Sequence, residues 1–320
     1  MSSPTEVDSG RSTPEFPPLA VLTDEHVVAG LDRRAALRAL RNVLASAHRG
    51  DAHSIPKSMA RFDEASSAHT LGAVDLTQGI VAFKSWVNTP NGASALLSLF
   101  DSSNGRTLAV MSAGALGMLR TAGTAALATD ILSDPGASEL AILGTGRQAL
   151  HQVAAIQDVR PLSLVRVWSP SERSRTAFAE QVRATLGLRS EVAAHARDCV
   201  SGAPIVTTVT RAVDPFVEGE WLAHGAHLNA VGAILPTTAE LLPSVLPLSD
   251  VTAVDDLDNA RRASRELHAH FGPELDGVIT LGEMIARSSP RPEDPRLTVY
   301  KGLGSGLTDL AVAALVVQES

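Results

Sequence analysis

The chain has 320 residues, of which 44% are hydrophobic, 19% charged and only 3% aromatic. That is apolar material for one large domain or two, packed on aliphatic contacts. The formal net charge of -8 gives no basic field to displace counterions and excludes broad nucleic-acid binding; a single cysteine, Cys199, excludes an internal disulfide and a cysteine-built zinc site.

Residues 1–18, "MSSPTEVDSGRSTPEFPP", have no apolar core of a signal peptide. Their Ser, Pro and charge content predicts a disordered tail. No apolar run reaches the roughly 18 residues that a membrane span needs, so a cytoplasmic chain without a membrane partner is expected. From Leu22 to Gly50 the periodicity is helical. Thr23 or Asp24 serves as N-cap, and Leu31, Leu37, Leu40 and Leu44 form the apolar face. Between Ser54 and Met111 the pattern changes to short apolar runs, "AVDL", "GIVAFKSWV", "SALLSLFD" and "TLAVM", with the turn signals "TPNGA" and "SSNGR" among them. An antiparallel sheet of hairpins is predicted. "AGALGMLRTAGTAALATDILS" follows as a helix of small residues, stopped by "DPGA".

From Glu139 strands and helices alternate. "ELAILG", "SLVRVWS", "APIVTTVT", "AHLNAVG" and "VTAVDDL" are the strands, which implies an α/β fold with a parallel doubly wound sheet. After "SSPRPEDPR" the chain closes with "LTVYKGLGSGLTDLAVAALVVQ", read as strand, Gly-rich turn and helix.

"AILGTGRQALHQ" sets Gly144, Gly146 and Ala149 in a G-x-G-x-x-A pattern after a strand and at the start of a helix. Gly144 permits the tight turn, Gly146 lets a pyrophosphate approach the backbone, and Ala149 lets the helix pack against the strand. The helix N-terminus then offers free N–H groups to phosphate. Thr145, Arg147 and Gln148 belong to the same candidate cofactor loop, and Thr208 and Val231, at the later strands, complete the set. The second strand runs into "WSPSERSR". Ser169 and Ser171 stand where a ribose-binding acid would stand, with Arg173 and Arg175 close behind. A hydroxyl and a guanidinium suit a 2′-phosphate, so NADP(H) is favoured and NAD(H) is the alternative. His224 and His227, and His268 and His270, have ligand-like spacing but no acid or thiol beside them, and no metal is expected.

Five segments in this order, "FKSWVNTPNG", "LRTAGTAALAT", "ILGTGRQA", "LNAVGA" and "TVYKGLGSGLTDLA", resemble the ornithine cyclodeaminase/mu-crystallin family from about Leu22 to the C-terminus. The resemblance implies a Rossmann domain, residues 133–297, inserted in a discontinuous α+β substrate and dimerisation domain, residues 19–132 and 298–320. The texture of sheet, then α/β, then a return element agrees. It also implies a homodimer formed through the sheet between Ser54 and Val110. Lys84 matches the family's active-site lysine and Arg120 the arginine that grips the substrate's α-carboxylate. Thr121 matches a position near the cofactor, and Asp75 an acid preceding the lysine. Lys57 stands where the family often has arginine, and Arg61 could supply that fork instead. The residues themselves agree for Lys84 and Arg120: each is a single charge in an apolar element, where charge is rarely buried unless paired or used.

In the family's cyclodeaminases the loop after "NAVGA" carries an aspartate that assists the substrate's amino group. Here that position is Ile234. An alkyl group moves no protons and holds no ammonium, but it packs against a hydrocarbon ring. The expected activity is therefore NAD(P)H-dependent reduction of a cyclic imino acid of the Δ1-pyrroline-2-carboxylate or Δ1-piperideine-2-carboxylate type. The alternatives are a cyclodeaminase or amino-acid dehydrogenase in which Glu240 or Asp75 supplies the acid, and a non-catalytic NADP(H)-binding protein.

Overall fold

In the computed structural model residues 19–288 and 291–319 are described; the tail expected over residues 1–18 lies outside them. The chain begins with strand β1 (Ala20–Leu22) and helices α1 (Asp24–Ala29) and α2 (Arg33–Arg49). The single helix expected from Leu22 to Gly50 is thus two. Gly30 closes α1, and Asp32 restarts the chain by accepting from the Arg34 and Ala35 N–H groups at 2.6 and 3.1 Å. Thr23 caps α1.

Five more strands complete a mixed sheet: β2 (Ala52–Arg61), β3 (Ser67–Asp75), β4 (Ile80–Thr89), β5 (Gly92–Asp101) and β6 (Thr107–Ser112), in the order β1-β6-β5-β4-β3-β2. All neighbours are antiparallel except β1 and β6. Pro56 cannot donate to a ladder, so β2 occupies the edge, with a register shift between Ile55 and Ser58. The small-residue helix α3 (Gly114–Leu132) follows. Its Gly123 lies so close to α2 that a Cβ there would come within 2.7 Å of Leu40 Cδ1. Asp24 Oδ1 accepts from Ala115 N at 2.9 Å and so ties α1 to the start of α3.

The remaining strands form an all-parallel sheet. In chain order its region contains β7 (Glu139–Leu143), α4 (Ala149–Gln157), β8 (Leu164–Trp168), α5 (Glu172–Leu186), β9 (Arg189–Val192), α6 (Ala196–Val200), β10 (Ile205–Thr208), β11 (Ala226–Ala230), β12 (Val251–Val254), α7 (Leu257–Ala263), α8 (Arg265–Phe271), β13 (Ile279–Thr280), α9 (Leu281–Ala286) and β14 (Leu297–Lys301), before the last helix α10 (Gly306–Glu319). The strand order is β13-β12-β14-β11-β10-β7-β8-β9. β10, β11 and β14 are buried along their whole length, as strands covered on both faces are.

The domain boundary expected between residues 297 and 298 falls inside β14 and is corrected here. β14 pairs with both β11 and β12 in the middle of the parallel sheet. The return to the first domain begins only at α10, which packs on α2, α3 and the inner side of β3 and β4. α9 also leaves the nucleotide-binding half: it lies on α2, with Gly282 against the Leu44 carbonyl where a Cβ would not fit. The two halves are thereby clasped by both α9 and α10.

Candidate active site

The C-terminal ends of β7, β10, β11 and β14 open into a cleft of about 1110 Å³, walled on the other side by the first turns of α3. Ligands bind at this end of open α/β sheets because helix N-termini and short strand-end loops converge there. Gly144 has φ +114°, and a Cβ would lie 2.7 Å from the Val209 carbonyl oxygen, so only glycine fits this turn. Gly146 has no atom within 4 Å of where a Cβ would stand, which leaves its backbone open to a bulky anion. Thr145, Arg147 and Gln148 line the cleft, and Gln148 Oε1 is buried without a hydrogen-bond partner. Ala149 is fully buried and starts α4. A glycine-only turn, an open backbone and an unpaired polar atom at a helix start fit a dinucleotide's phosphates.

Around the second strand, Ser169, Ser171 and Ser174 line the same cleft. The Ser169 hydroxyl donates to the Ser171 carbonyl at 3.1 Å, and Ser171 caps α5 by accepting from Ser174 N at 3.2 Å. Arg173 is exposed on the first turn of α5, outside the cleft wall. Arg175 is engaged with the Ser169 and Ala194 carbonyls. Val231 lines the cleft; Thr208 does not, because its hydroxyl points behind the strand ends and donates to Glu240 Oε2 at 2.8 Å.

At the far end of the cleft Arg120 and Thr121 come from α3. The Thr121 hydroxyl is returned to its own helix, donating to the Gly117 carbonyl at 2.7 Å. Arg120 Nε donates to Asp309 Oδ1 at 3.0 Å, and Lys84 Nζ donates to Asp309 Oδ2 at 2.5 Å. One carboxylate from α10 thus fixes two cations from β4 and α3. Burial pushes the Lys84 ammonium below the usual lysine range, and the Asp309 charge opposes that push. Burial alone would raise Asp309, but Arg120 and Lys84 outweigh it and hold the carboxyl below its ordinary value. Asp309 was not anticipated. Its signal was present in "GLTDLAVAALVV", a single acid in an apolar helix, which is the same signal that marked Lys84 and Arg120.

Two further cleft residues were missed. Asp255 accepts from Leu303 N and Gly304 N at 2.9 and 2.8 Å, and burial and then the nearby Asp255 charge push the Tyr300 hydroxyl well above its ordinary range. Burial pushes the Asp255 carboxyl up. The turn it holds passes behind Arg120: a Cβ on Gly304, whose φ is +88°, would come within 3.2 Å of both guanidinium Nη atoms.

Lys57 reaches the inner face of the sheet, with Nζ 5.0 Å from the Trp86 ring centroid, while Lys84 Nζ lies 5.4 Å from the same ring. Arg61 is exposed at the far end of β2 and is not brought to the cleft. Asp75 is also placed elsewhere. It is buried at the opposite end of β3, where it accepts from the Thr77 N–H and hydroxyl and from the Gln78 N–H and side-chain amide. It caps the β3–β4 turn. Glu240 is likewise spent. Its carboxylate accepts from the Thr208 and Thr210 hydroxyls and from the Thr210, Gly232 and Ala233 N–H groups. Below it, Glu266 accepts from Glu240 N and Leu241 N and pairs with the buried Lys301. The loop that this network pins carries Ile234, which lines the cleft and is 49% exposed at its lip.

His227 is a core residue, its ring bonded to Thr298 Oγ1 and Asn229 Oδ1 at 3.0 and 3.1 Å. Among the described residues no group of three or more His, Cys, Asp or Glu side chains is arranged to hold a metal ion, and no helix is long and apolar enough to cross a membrane.

The family model described as ornithine cyclodeaminase/mu-crystallin family matches residues 20–320. The ketimine reductase mu-crystallin of Mus musculus is 35% identical over 222 residues, covering 69% of this chain and 68% of the relative. Among solved structures, the iminosuccinate reductase of Paracoccus denitrificans in complex with NAD+ superposes with a TM-score of 0.88 at 25% identity, over 94% of this chain and 96% of that one. An archaeal alanine dehydrogenase dimer with bound NAD superposes with a TM-score of 0.87 at 26% identity, over 94% of this chain and 95% of that one.

Proposed function

This chain belongs to the ornithine cyclodeaminase/mu-crystallin family, and within it we propose an NAD(P)H-dependent reductase of cyclic α-imino acids, of the Δ1-pyrroline-2-carboxylate or Δ1-piperideine-2-carboxylate type. The observation that carries the proposal is the lip of the cleft. Ile234 occupies it, and the two acids that could have replaced an aspartate there, Glu240 and Asp75, have their carboxylates committed to hydrogen bonds. Elimination of ammonia from a diamino acid needs a group to take and return protons at the departing nitrogen. Reduction of a ring imine needs only a held carboxylate, an ordered C=N and one proton.

A bound nicotinamide supplies the hydride. The chain supplies the rest. Arg120, braced by Asp309, holds the substrate carboxylate by charge-assisted hydrogen bonds. Lys84 adds a second positive charge and delivers the proton to the imine nitrogen; its depressed pKa brings it nearer to the working pH, where general acids are most effective. Ile234 packs against the ring. The inner wall is cationic at Lys57 and Lys84, so the distal ammonium of ornithine or lysine is repelled.

Three finer points belong to the same reading. The preferred cofactor is NADPH, recognised at its 2′-phosphate by the serine cluster at Ser169, Ser171 and Ser174 together with Arg173. The protein is a homodimer joined through the outer face of the mixed sheet, where Val21, Phe83, Val87 and Leu96 stand exposed, an apolar patch of the kind that marks interfaces. It works in the cytoplasm, where its nicotinamide cofactor is available. The experiment is a spectrophotometric screen of NADPH and NADH oxidation against cyclic and linear imines, with ornithine and lysine as cyclodeamination controls.

A further inference from the structure

We infer that the pocket between α2, α3 and α4 is a second binding site, for a small uncharged, mostly apolar molecule of about the size of phenol, carrying one hydroxyl that bonds His151. The inference goes beyond the reductase assignment above and holds whichever imine the cleft reduces.

The pocket has a volume of about 210 Å³ and lies behind the cofactor cleft. On α3, Arg120 and Thr121 line the cleft, whereas Leu119, Ala122 and Gly123 of the same helix line the pocket. Facing them stand His151, Ala154 and Ala155 of α4, whose N-cap is Gln148 of the phosphate loop. A molecule bound here therefore touches both helices that shape the cleft. Part of this three-helix junction is packed: Ala122, Ala126 and Ala155 cluster with Leu37 and Val159. The rest is not filled. There the chain breaks between α1 and α2, and Val28 and Leu31 from that region line the space. Close-packed interiors leave few voids larger than a water molecule, and an apolar cavity of ~150 Å³ already takes benzene.

The polar groups in the wall define what fits. Arg33, at the start of α2, and Asp158, at the end of α4, carry its charges, and these are matched. Arg33 Nε and Nη2 donate to the two oxygens of Asp158 at 2.5 and 3.1 Å. A charged ligand would lose its hydration and find no unmatched partner. His151 differs. It is half-buried, and its ring makes no hydrogen bond among the described residues. Burial and then the nearby Arg33 charge hold its imidazole below the ordinary histidine range. The neutral ring keeps one N–H donor and one acceptor nitrogen, and a single hydroxyl satisfies it. Every other side chain in the wall is aliphatic, so the remainder of the ligand is hydrocarbon.

The test is calorimetric titration of the full chain with phenol, toluene and benzoate, in the wild type, His151→Leu and Ala154→Phe, each with and without saturating NADP+. The wild type should bind one phenol per chain with a dissociation constant below about 1 mM, and benzoate at least about tenfold more weakly. His151→Leu should weaken phenol by about 3- to 10-fold, the range of one neutral hydrogen bond, and leave toluene unchanged. Ala154→Phe puts a ring into the pocket and should abolish binding of both. Saturating NADP+ should not displace phenol. A wild-type crystal soaked in phenol locates the molecule without any variant, and it should lie among Leu119, His151 and Ala154. Absence of phenol binding at millimolar concentration overturns the inference, as does phenol found only elsewhere or displaced by NADP+. So does benzoate bound as tightly as phenol, phenol binding that survives Ala154→Phe, or a phenol affinity that falls no further than that of toluene in His151→Leu.

Discussion

Asp309 Oδ2 accepts a 2.5 Å hydrogen bond from Lys84 Nζ, joining the last helix of the chain to the fourth strand. The other oxygen of the same carboxylate holds Arg120. On the proposed mechanism, substrate binding at Arg120 and proton delivery from Lys84 both depend on a residue that need not touch the substrate.

Removing that carboxylate should be severe. Asp309→Ala leaves two buried cations facing each other, and breaking a buried ion pair costs about 3–5 kcal/mol, to be read as a loss in chemical denaturation. Asp309→Asn keeps the shape and should fold. Without the charge that opposes its desolvation, Lys84 should lose its proton at lower pH than in the wild type. The alkaline limb of the kcat profile should move to lower pH in Asp309→Asn, and an unmoved limb would show that Lys84 is not the titrating group.

Lys84 and Arg120 should fail in different ways. Arg120→Ala removes the carboxylate clamp, so the loss should fall largely on KM, with kcat following if the ring loses its alignment. Lys84→Ala removes the proton donor, and kcat should fall by about 10²–10⁴ while KM rises less. Steady-state kinetics with a cyclic ketimine carboxylate separates the two.

The cofactor assignment has its own test. Arg173→Ala should weaken NADPH by about 10- to 150-fold, equivalent to roughly 1.5–3 kcal/mol, and leave NADH little changed. Arg173 stands on the exposed first turn of α5 beside the cleft-lining Ser171 and Ser174. Equal losses for both cofactors would remove the 2′-phosphate role from Arg173.

The fold should be acid-sensitive through His227. Burial pushes its pKa down from 6.5 to about 3, so the folded protein keeps the ring neutral while the unfolded chain protonates it. Between these two values the unfolded state binds the extra proton, and stability is lost as pH falls through that window. His227→Gln should flatten the dependence of the melting temperature on pH between about 6.5 and 3 relative to the wild type.

Assembly can be tested at Phe83 and Leu96, exposed on the outer face of the mixed sheet. The double substitution Phe83→Lys with Leu96→Lys should give monomers by light scattering at micromolar concentration, where the wild type should be a dimer.

Much of this architecture was legible in the sequence, and the exceptions have physical causes. The hairpins, the alternating strands and helices, and the glycine-rich turn each follow from local periodicity and turn chemistry. β2 did not, because "AHSIPKSMAR" carries a proline and little alternation, and only its edge position makes it a strand. β14 was seen as a strand but given to the wrong half. A buried run such as "LTVYK" does not say which strands flank it. Lys84 and Arg120 stood out as lone charges in apolar elements. Asp255 did not, since "VDDLDN" offers three acids and nothing local distinguishes the one beneath the Gly304 turn. Asp75 and Glu240 were candidate acids by position. Only their hydrogen bonds show them holding a turn and a loop.

The central claim is reduction of a ring imine at a cleft whose lip is Ile234, and one assay addresses it most directly. Purified wild-type protein is given NADPH with Δ1-piperideine-2-carboxylate, and separately NAD+ with ornithine, while nicotinamide absorbance and released ammonia are followed together. The account predicts NADPH oxidation matched by pipecolate formation in the first mixture and no ammonia in the second. Ammonia released from ornithine, with the imine left unreduced, would contradict it.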